Sequence, residues 1–277
     1  MNYRSRIAKA ISYLGLASIL VFTLFPIVFL VLTSFKTLDD IFSYPPPLIF
    51  LPTLKNWNKV LVGGDFLNFY KNSILIASFT SLFVVVFGSM AGYALARFKI
   101  RGKEDLAFWI LSNSMMPAIA IILPLYILFA KIGALDKIPS MILVYTAFNL
   151  PFGVWLMRSF IEDIPIVLEE AALIDGSSRF GCFFRIILPV AKPGLLAVAI
   201  YTFVQAINEF FIAFVLTGSQ SKTAAVAILN FLPTGVRGTL YGEAAAASIL
   251  IMLPALLLFF FMRNSFVAGL SLGAVKE

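Results

Sequence analysis

Glu209 is a carboxylate inside a strongly apolar run, with Gln205 and Asn208 just before it. At i, i+3 and i+4 the three share one face of a helix. A carboxylate at bilayer depth is costly. It lines a path for a polar solute, pairs with a neighbouring helix, or reaches toward the outer interface. Asn113 and Asn149 are the other amides within apolar runs and join these three as candidate pathway residues. A second group of acids, Glu169, Glu170 and Asp175, lies in "EEAALIDGSSRFGCFFRIILP" (Glu169–Pro189), a charged, small-residue-rich stretch between two apolar runs. Those acids suit the Arg or Lys of a partner. Neither group is equipped for covalent or metal chemistry. The chain has no His and one Cys, Cys182, which removes His-based zinc sites, Ser-His-Asp triads and an internal disulfide. No metal site is expected. The phosphate-cradling G-x-x-x-x-G-K-[ST] loop is absent, since "RGKED" (Arg101–Asp105) lacks the first Gly and the Ser/Thr.

The elements that position these residues follow from composition. Of 277 residues, 61% are hydrophobic and 13% charged, against about half and a quarter in a soluble domain. The fold class is therefore all-α and integral to a membrane, one domain over 1–277. Six runs are long enough to span, at about 11–34, 72–96, 106–130, 139–157, 194–217 and 243–262. A crossing helix needs about 20 apolar residues, and these runs are too long for barrel strands. The first is read as a retained span, because its apolar length exceeds that of a signal peptide and no small-x-small site follows. Pro26, Pro117, Pro124, Pro151 and Pro254 are potential kinks. Gly88, Gly92 and Ala96 form a small-residue seam, for helix packing within one subunit or for contact with a second.

The net charge of +7 does not point to nucleic acid, because the basic residues flank apolar runs, where they set orientation. With the N-terminus inside, the inner segments hold Arg4, Arg6 and Lys9; the dense loop Arg97, Lys99, Arg101 and Lys103; Arg158, Arg179, Arg185 and Lys192; and Arg263 and Lys276. Both termini are then cytoplasmic in a multi-pass protein of the plasma (inner) membrane. Residues 158–192 are cytoplasmic too. There, acids and Pro165 start a short helix that runs to about Ile174, and Asp175-Gly176 ends it. Ser177 or Ser178 caps a second short helix to about Ile187, which Pro189 stops. Helices this short are marginal alone and need a surface to dock on. Ala171 and Ala172 allow close approach, and Gly176 permits a left-handed turn. The segment reads as a rigid knob for a cytoplasmic protein. Its acids argue against a helix resting on lipid headgroups.

The knob resembles the EAA loop of membrane subunits of ABC importers. That pattern is Glu-Ala-Ala, three residues, Gly, nine residues, Ile, one residue, Leu-Pro. Here it is met by Glu170-Ala171-Ala172, Gly176, Ile186 and Leu188-Pro189. The resemblance implies that the loop fits a cleft on an ATP-hydrolysing subunit and transmits its closing to the spans. Glu170 and Gly176 carry over as coupling residues, and Ala171, Ala172, Ile186, Leu188 and Pro189 as shape. "VQAINEFFIAFVLT" (Val204–Thr217) is similar to the fifth span of the carbohydrate-importer branch, with Ile207 where a Trp is usual. "FVAGLSLGAVKE" (Phe266–Glu277) is similar to that branch's tail. The likeness is to the shorter membrane subunit of maltose/trehalose-type importers. It implies contact of Gly273, Ala274, Val275 and Lys276 with the ATPases; a frayed terminus is the alternative. By position, Gly218–Glu243 corresponds to a loop that reaches into the sugar-binding protein.

The implied assembly has a second membrane subunit, different from this chain or else a second copy of it, two ATP-binding subunits, an extracytoplasmic sugar-binding protein and surrounding lipid, and no nucleic acid. The chain is then not an enzyme and carries no cofactor, ATP and Mg residing on the partner ATPase. The cargo is maltose, trehalose, another oligosaccharide or a polyol phosphate. A self-contained secondary transporter or channel for a small polar solute is the competing class. It expects several ion-coupling acids and an inverted repeat; the spans offer one carboxylate and no obvious repeat.

Overall fold

A computed structural model describes residues 3–232 and 240–273. Among the described residues there is no strand; the chain is helical and membrane-integral. In order the helices are α1 (Tyr3–Ser34), α2 (Leu38–Phe42), α3 (Lys55–Leu61), α4 (Phe66–Arg97), α5 (Lys103–Ser112), α6 (Ala118–Lys131) and α7 (Ile138–Glu162). They continue as α8 (Val167–Ile174), α9 (Arg179–Cys182), α10 (Leu188–Val190), α11 (Lys192–Asn208), α12 (Phe211–Leu216), α13 (Ala224–Ala227) and α14 (Tyr241–Gly273). Four helices are long and apolar enough to cross a membrane, or six if each of two bent pairs counts as one. The chain divides into two compact units, Met1–Leu67 with Ile228–Leu250, and Asn68–Ala227 with Ile251–Glu277.

In the first unit α1 exposes apolar side chains along its length, as a lipid-facing helix does. The carbonyls left over at its end are taken up by Asn56, whose Nδ2 donates to Ser34 O at 3.0 Å and Lys36 O at 2.9 Å. Gly242 sits against Asn56 so closely that a Cβ there would lie 2.3 Å from its Nδ2. Lys59 reaches the buried Glu243 at 2.7 Å.

The second unit is organised around α4, α7 and α11. Val84, Met157, Ile161, Phe183, Ile187 and Val198 form its main core. The small-residue seam of α4 packs within the chain, on α7. A Cβ at Gly88 would lie 3.1 Å from the Gly153 carbonyl carbon, and one at Gly92 would lie 2.8 Å from the Arg158 nitrogen. Backbones this close make the crossing dependent on the absent side chains.

One potential kink is realised, and two expectations need correction. The run 106–130 breaks at Pro117. It is α5 and α6, bent by 86° around Met116–Pro117, because the residue before a proline is driven to extended backbone. The run 194–217 is also broken, into α11 and α12 at Glu209–Phe210. And Pro189 does not stop the second short helix. The helical backbone runs on through a π turn over Phe183–Ile187 into α10 and ends only after Pro189, at Val190. The α8 boundary at Ile174 and the Ser178 cap, which accepts from Gly181 N at 3.1 Å, are as the sequence predicts.

Gly92→Ala is expected to destabilise the protein by about 1–3 kcal/mol, the usual cost of overpacking. A lowered thermal midpoint in detergent checks this; an unchanged midpoint would show that α4 and α7 can part at no cost.

Candidate functional site

The helix–turn–helix α8–α9 is held by one buried acid. Glu169 is 3% exposed. Its Oε1 accepts from Arg97 Nε, and its Oε2 accepts from Tyr93 Oη at 2.9 Å. Arg97 spends a second donor on Ile164 O at 2.6 Å, in the turn leading into α8. The last turns of α4 thus grip the turn before α8 and the first turn of α8. Two neighbouring contacts stiffen the grip. Arg158 Nη2 binds both oxygens of Glu104 at 2.7 and 2.8 Å, and its Nε binds Glu162 at 2.7 Å, joining α5 to α7. The Arg179 guanidinium lies 5.4 Å from the Phe98 ring centre.

The expectation that all three acids face outward therefore holds for Glu170 and Asp175, which are exposed, and not for Glu169. Sequence reasoning missed Arg97 and Tyr93. The signal was available: one basic residue and one phenol, a helical turn apart at the end of an apolar run, facing an acid-rich loop. Ala171 is exposed and Ala172 half-buried. Gly176 adopts φ +84 at the turn, and a Cβ there would meet nothing within 4 Å. Ile174 is 85% exposed, beside exposed Val167 and Phe180. Ile186 and Leu188 are half-buried, Leu188 against the main core, and Pro189 is exposed. The knob thus offers an apolar tip flanked by two acids. Of the tail residues, Gly273 closes α14, and Ala274, Val275 and Lys276 lie outside the described residues.

At bilayer depth the candidate residues separate. Glu209 accepts from Tyr145 Oη at 2.6 Å, from Ile212 N at 2.7 Å and from Ala213 N at 3.0 Å. It caps the first turn of α12 across the helix break, so its oxygens are used for structure. Asn113 and Asn149 each return a hydrogen bond to the carbonyl one turn back, at 2.7 and 2.8 Å. Asn208 does the same to Val204 O at 2.8 Å. Gln205 donates to Tyr201 Oη at 3.0 Å. Gln205 and Asn208 share an exposed face, whereas Glu209 turns inward toward the buried Tyr145.

The loop after α12 is fixed by Asp136, which the sequence did not single out. One carboxylate takes Gly218 N at 2.7 Å, Gln220 N at 3.0 Å, Ser221 N at 2.8 Å and Ser221 Oγ at 2.8 Å. Partial burial pushes the Asp136 carboxyl up, but the backbone donors of Ser221, Gln220 and Gly218 outweigh it and hold it below the usual Asp value. Asn72 adds bonds to Gln220 O and Lys222 O, and Ser73 accepts from Ala224 N at 2.8 Å.

Comparison with known proteins agrees with these features. The family described as "Binding-protein-dependent transport system inner membrane component" matches residues 84–271. A probable ABC transporter permease protein of Sinorhizobium fredii is 36% identical over 91% of this chain and 90% of its own. The trehalose/maltose transport system permease protein of Thermococcus litoralis is 32% identical over 95% of each chain. The trehalose transport system permease protein of Mycobacterium tuberculosis is 36% identical over 81% of this chain and 82% of its own. Among solved structures, a bacterial ABC transporter involved in the import of the acidic polysaccharide alginate superposes with a TM-score of 0.78 at 21% identity. The match covers 96% of this chain and 99% of that one, and it establishes the fold.

The Asp136 contacts lead to a pH-dependent expectation. A carboxyl whose folded pKa is depressed contributes stability above its unfolded pKa and loses it as pH falls through the folded pKa. Asp136→Asn is expected to cost about 1–3 kcal/mol at neutral pH, since an amide cannot accept all four bonds. The difference in thermal midpoint between variant and parent should persist down to about pH 4 and shrink only below it. A gap that closes already near neutrality would count against the ionised contact.

Proposed function

The chain belongs to the binding-protein-dependent transport system inner membrane component family, and from that premise we propose that it is one of two membrane subunits of an ATP-driven sugar importer. The observation that carries the coupling role is the Glu169 anchor. It fixes α8 to the end of α4 while Glu170, Ala171, Ile174, Asp175 and Gly176 stay exposed. A push on the exposed tip is therefore delivered to a membrane-spanning helix rather than absorbed by a loose loop.

In this reading the knob lies in the cytoplasm with both termini, and a separate ATPase subunit holds ATP and Mg²⁺. Two such ATPases, a second and different membrane subunit, and an extracytoplasmic sugar-binding protein complete the assembly. ATP-driven closure of the ATPases draws the knobs together and rocks the spans between inward-open and outward-open states. Moving such an equilibrium from one side to the other needs about 5 kcal/mol of differential binding. ATP and the docked binding protein together are its source. On the opposite side, the loop held by Asp136 faces the binding protein. The chain carries out no catalysis. Maltose or trehalose is the favoured cargo class, by similarity to the permeases from Thermococcus litoralis and Mycobacterium tuberculosis. A self-contained secondary transporter would need an acid free to take up an ion. Glu209, the carboxylate within the fifth apolar run, is bonded to a phenol and two backbone amides.

Gly176→Asp tests coupling. Within this chain the added side chain meets open space, and Asp tolerates left-handed backbone at about 1 kcal/mol. The variant is expected to reach the membrane and assemble, with ATP hydrolysis no longer tied to sugar uptake. Normal uptake by the variant would remove the coupling role.

A further inference from the structure

A cleft of about 180 Å³ opens between the last turns of α4 and the start of α9. Met90, Ala94 and Phe98 line it at intervals of four residues, so they share one face of the helix. That face points away from the Gly88 and Gly92 contact with α7. Phe87, Phe83 and Phe79 continue the stripe along α4, all exposed, with successive ring centres 6.0 and 6.3 Å apart. Arg179 stands at the other end of the cleft, its guanidinium 5.4 Å from the Phe98 ring centre. Arg97 and Arg158 nearby are paired with Glu169, Glu104 and Glu162. Arg179 is exposed and has no carboxylate partner among the described residues.

The cleft straddles the edge of the hydrocarbon. The apolar run of α4 ends at Ala96, and Arg97, Lys99, Arg101 and Lys103 follow it, as at a headgroup zone. Met90 lies about 12 Å from Phe98 along the helix, at about 1.5 Å per residue. One leaflet of hydrocarbon is about 15 Å deep, half of about 30 Å. Arg179 and Phe98 therefore stand at headgroup level, and Met90 and Phe87 at acyl depth. An acid from a soluble protein satisfies Arg179 and leaves the stripe bare, and so does a free phosphate. A phospholipid meets both needs. Its phosphate accepts the guanidinium hydrogen bonds, and a chain lies on the apolar stripe. Lys99 and Arg185 are exposed on the same two segments, while the exposed acids Glu170 and Asp175 lie outside the cleft lining. The excess of positive charge favours a headgroup with net negative charge.

We propose that this cleft binds one anionic phospholipid, its phosphate on Arg179 and an acyl chain along Ala94, Met90 and Phe87. Tyr93 lines the same cleft and donates its hydroxyl proton to Glu169, so the bound lipid braces the ring that anchors the knob. The inference goes beyond the importer reading above and needs only that the chain spans a membrane.

The test uses the full chain, in the complex it forms, in phosphatidylcholine vesicles doped with a phosphatidylglycerol whose acyl chain carries a photoreactive diazirine. After irradiation, adducts are mapped by peptide mass spectrometry. The expected result is adducts on the Phe87–Phe98 segment, in higher yield than from phosphatidylcholine carrying the same diazirine. Arg179→Gln should lower the phosphatidylglycerol yield about fivefold at limiting lipid, the factor for one basic group near the surface. Arg179→Lys should keep most of the yield. Arg101→Gln, which removes a basic residue outside the cleft lining, should leave it unchanged. Equal labelling by the two lipids would overturn the proposal, leaving only boundary lipid. An equal loss in Arg179→Gln and Arg101→Gln would overturn it too, because diffuse surface charge then explains the preference. An unchanged yield in Arg179→Gln would remove the arginine from the site. No adduct on the segment would show that the stripe is covered by protein, another membrane subunit or an ATPase, and would also overturn the proposal. Whether ATPases and a second membrane subunit co-purify is scored separately on the same preparation, so failure of the importer reading is distinct from every one of these outcomes.

Discussion

The ion pair between Arg97 and Glu169 is the contact on which the rest depends. Both side chains are almost completely buried. Burying two charges is expensive, and their attraction offsets that cost only when the remaining donors and acceptors are satisfied. Here further bonds help: Tyr93 donates to the second carboxylate oxygen, and Ile164 O accepts a second guanidinium donor. Removing one partner strands the other in a low-dielectric site, which typically costs about 3–5 kcal/mol. An eight-residue helix such as α8 has little intrinsic stability to oppose such a loss. The pair therefore sets the position of the knob more than the propensity of the knob's own residues does.

The same economy explains why the spans are broken where they are. A break in a helix releases backbone donors that lipid cannot satisfy. At Glu209–Phe210 the Glu209 carboxylate takes two of these donors from α12. Tyr145 then neutralises what is left of its demand from the neighbouring helix. At Met116–Pro117 the proline has no N–H to orphan, and Asn113 folds back on Trp109 O just before it. The Glu209 break is thus repaired on its donor side, and the Pro117 break on the carbonyl side of α5. Such breaks let one stretch of chain change direction within the bundle without exposing bare amides.

Much of this was legible in the sequence, because hydrophobic length and fixed spacing are local signals. The six apolar runs, the α8 boundary at Ile174, the left-handed Gly176 and the Ser178 cap all follow from residues within a few positions of each other. What was not legible depended on residues far apart. Nothing around Asp136 says that its carboxylate gathers three amides from a loop more than eighty positions later. Tyr93 and Arg97 were a readable pair at the end of α4, but only the fold shows that they take Glu169 and leave Glu170 exposed. The small-residue seam showed the reverse pattern. Gly88 and Gly92 announced a close helix contact, but only the backbone of α7 could say which helix.

The polar residues at bilayer depth show why residue type alone is a poor guide to a pathway. By type, Glu209 was the leading candidate, since a carboxylate is the costliest group to place there. That same cost is why its oxygens are bonded within the chain. A neutral amide or phenol is cheaper to leave half-satisfied, because its desolvation penalty is a few kcal/mol rather than that of a charge. A surface that must grip and release a neutral, hydroxyl-rich solute needs groups of this second kind, with one valence fixed for position and another left open. Gln205 and Tyr201 fix each other and keep a donor and an acceptor in reserve. The strongest group at depth therefore builds the frame, and the weaker, neutral ones keep a hydrogen-bonding valence open.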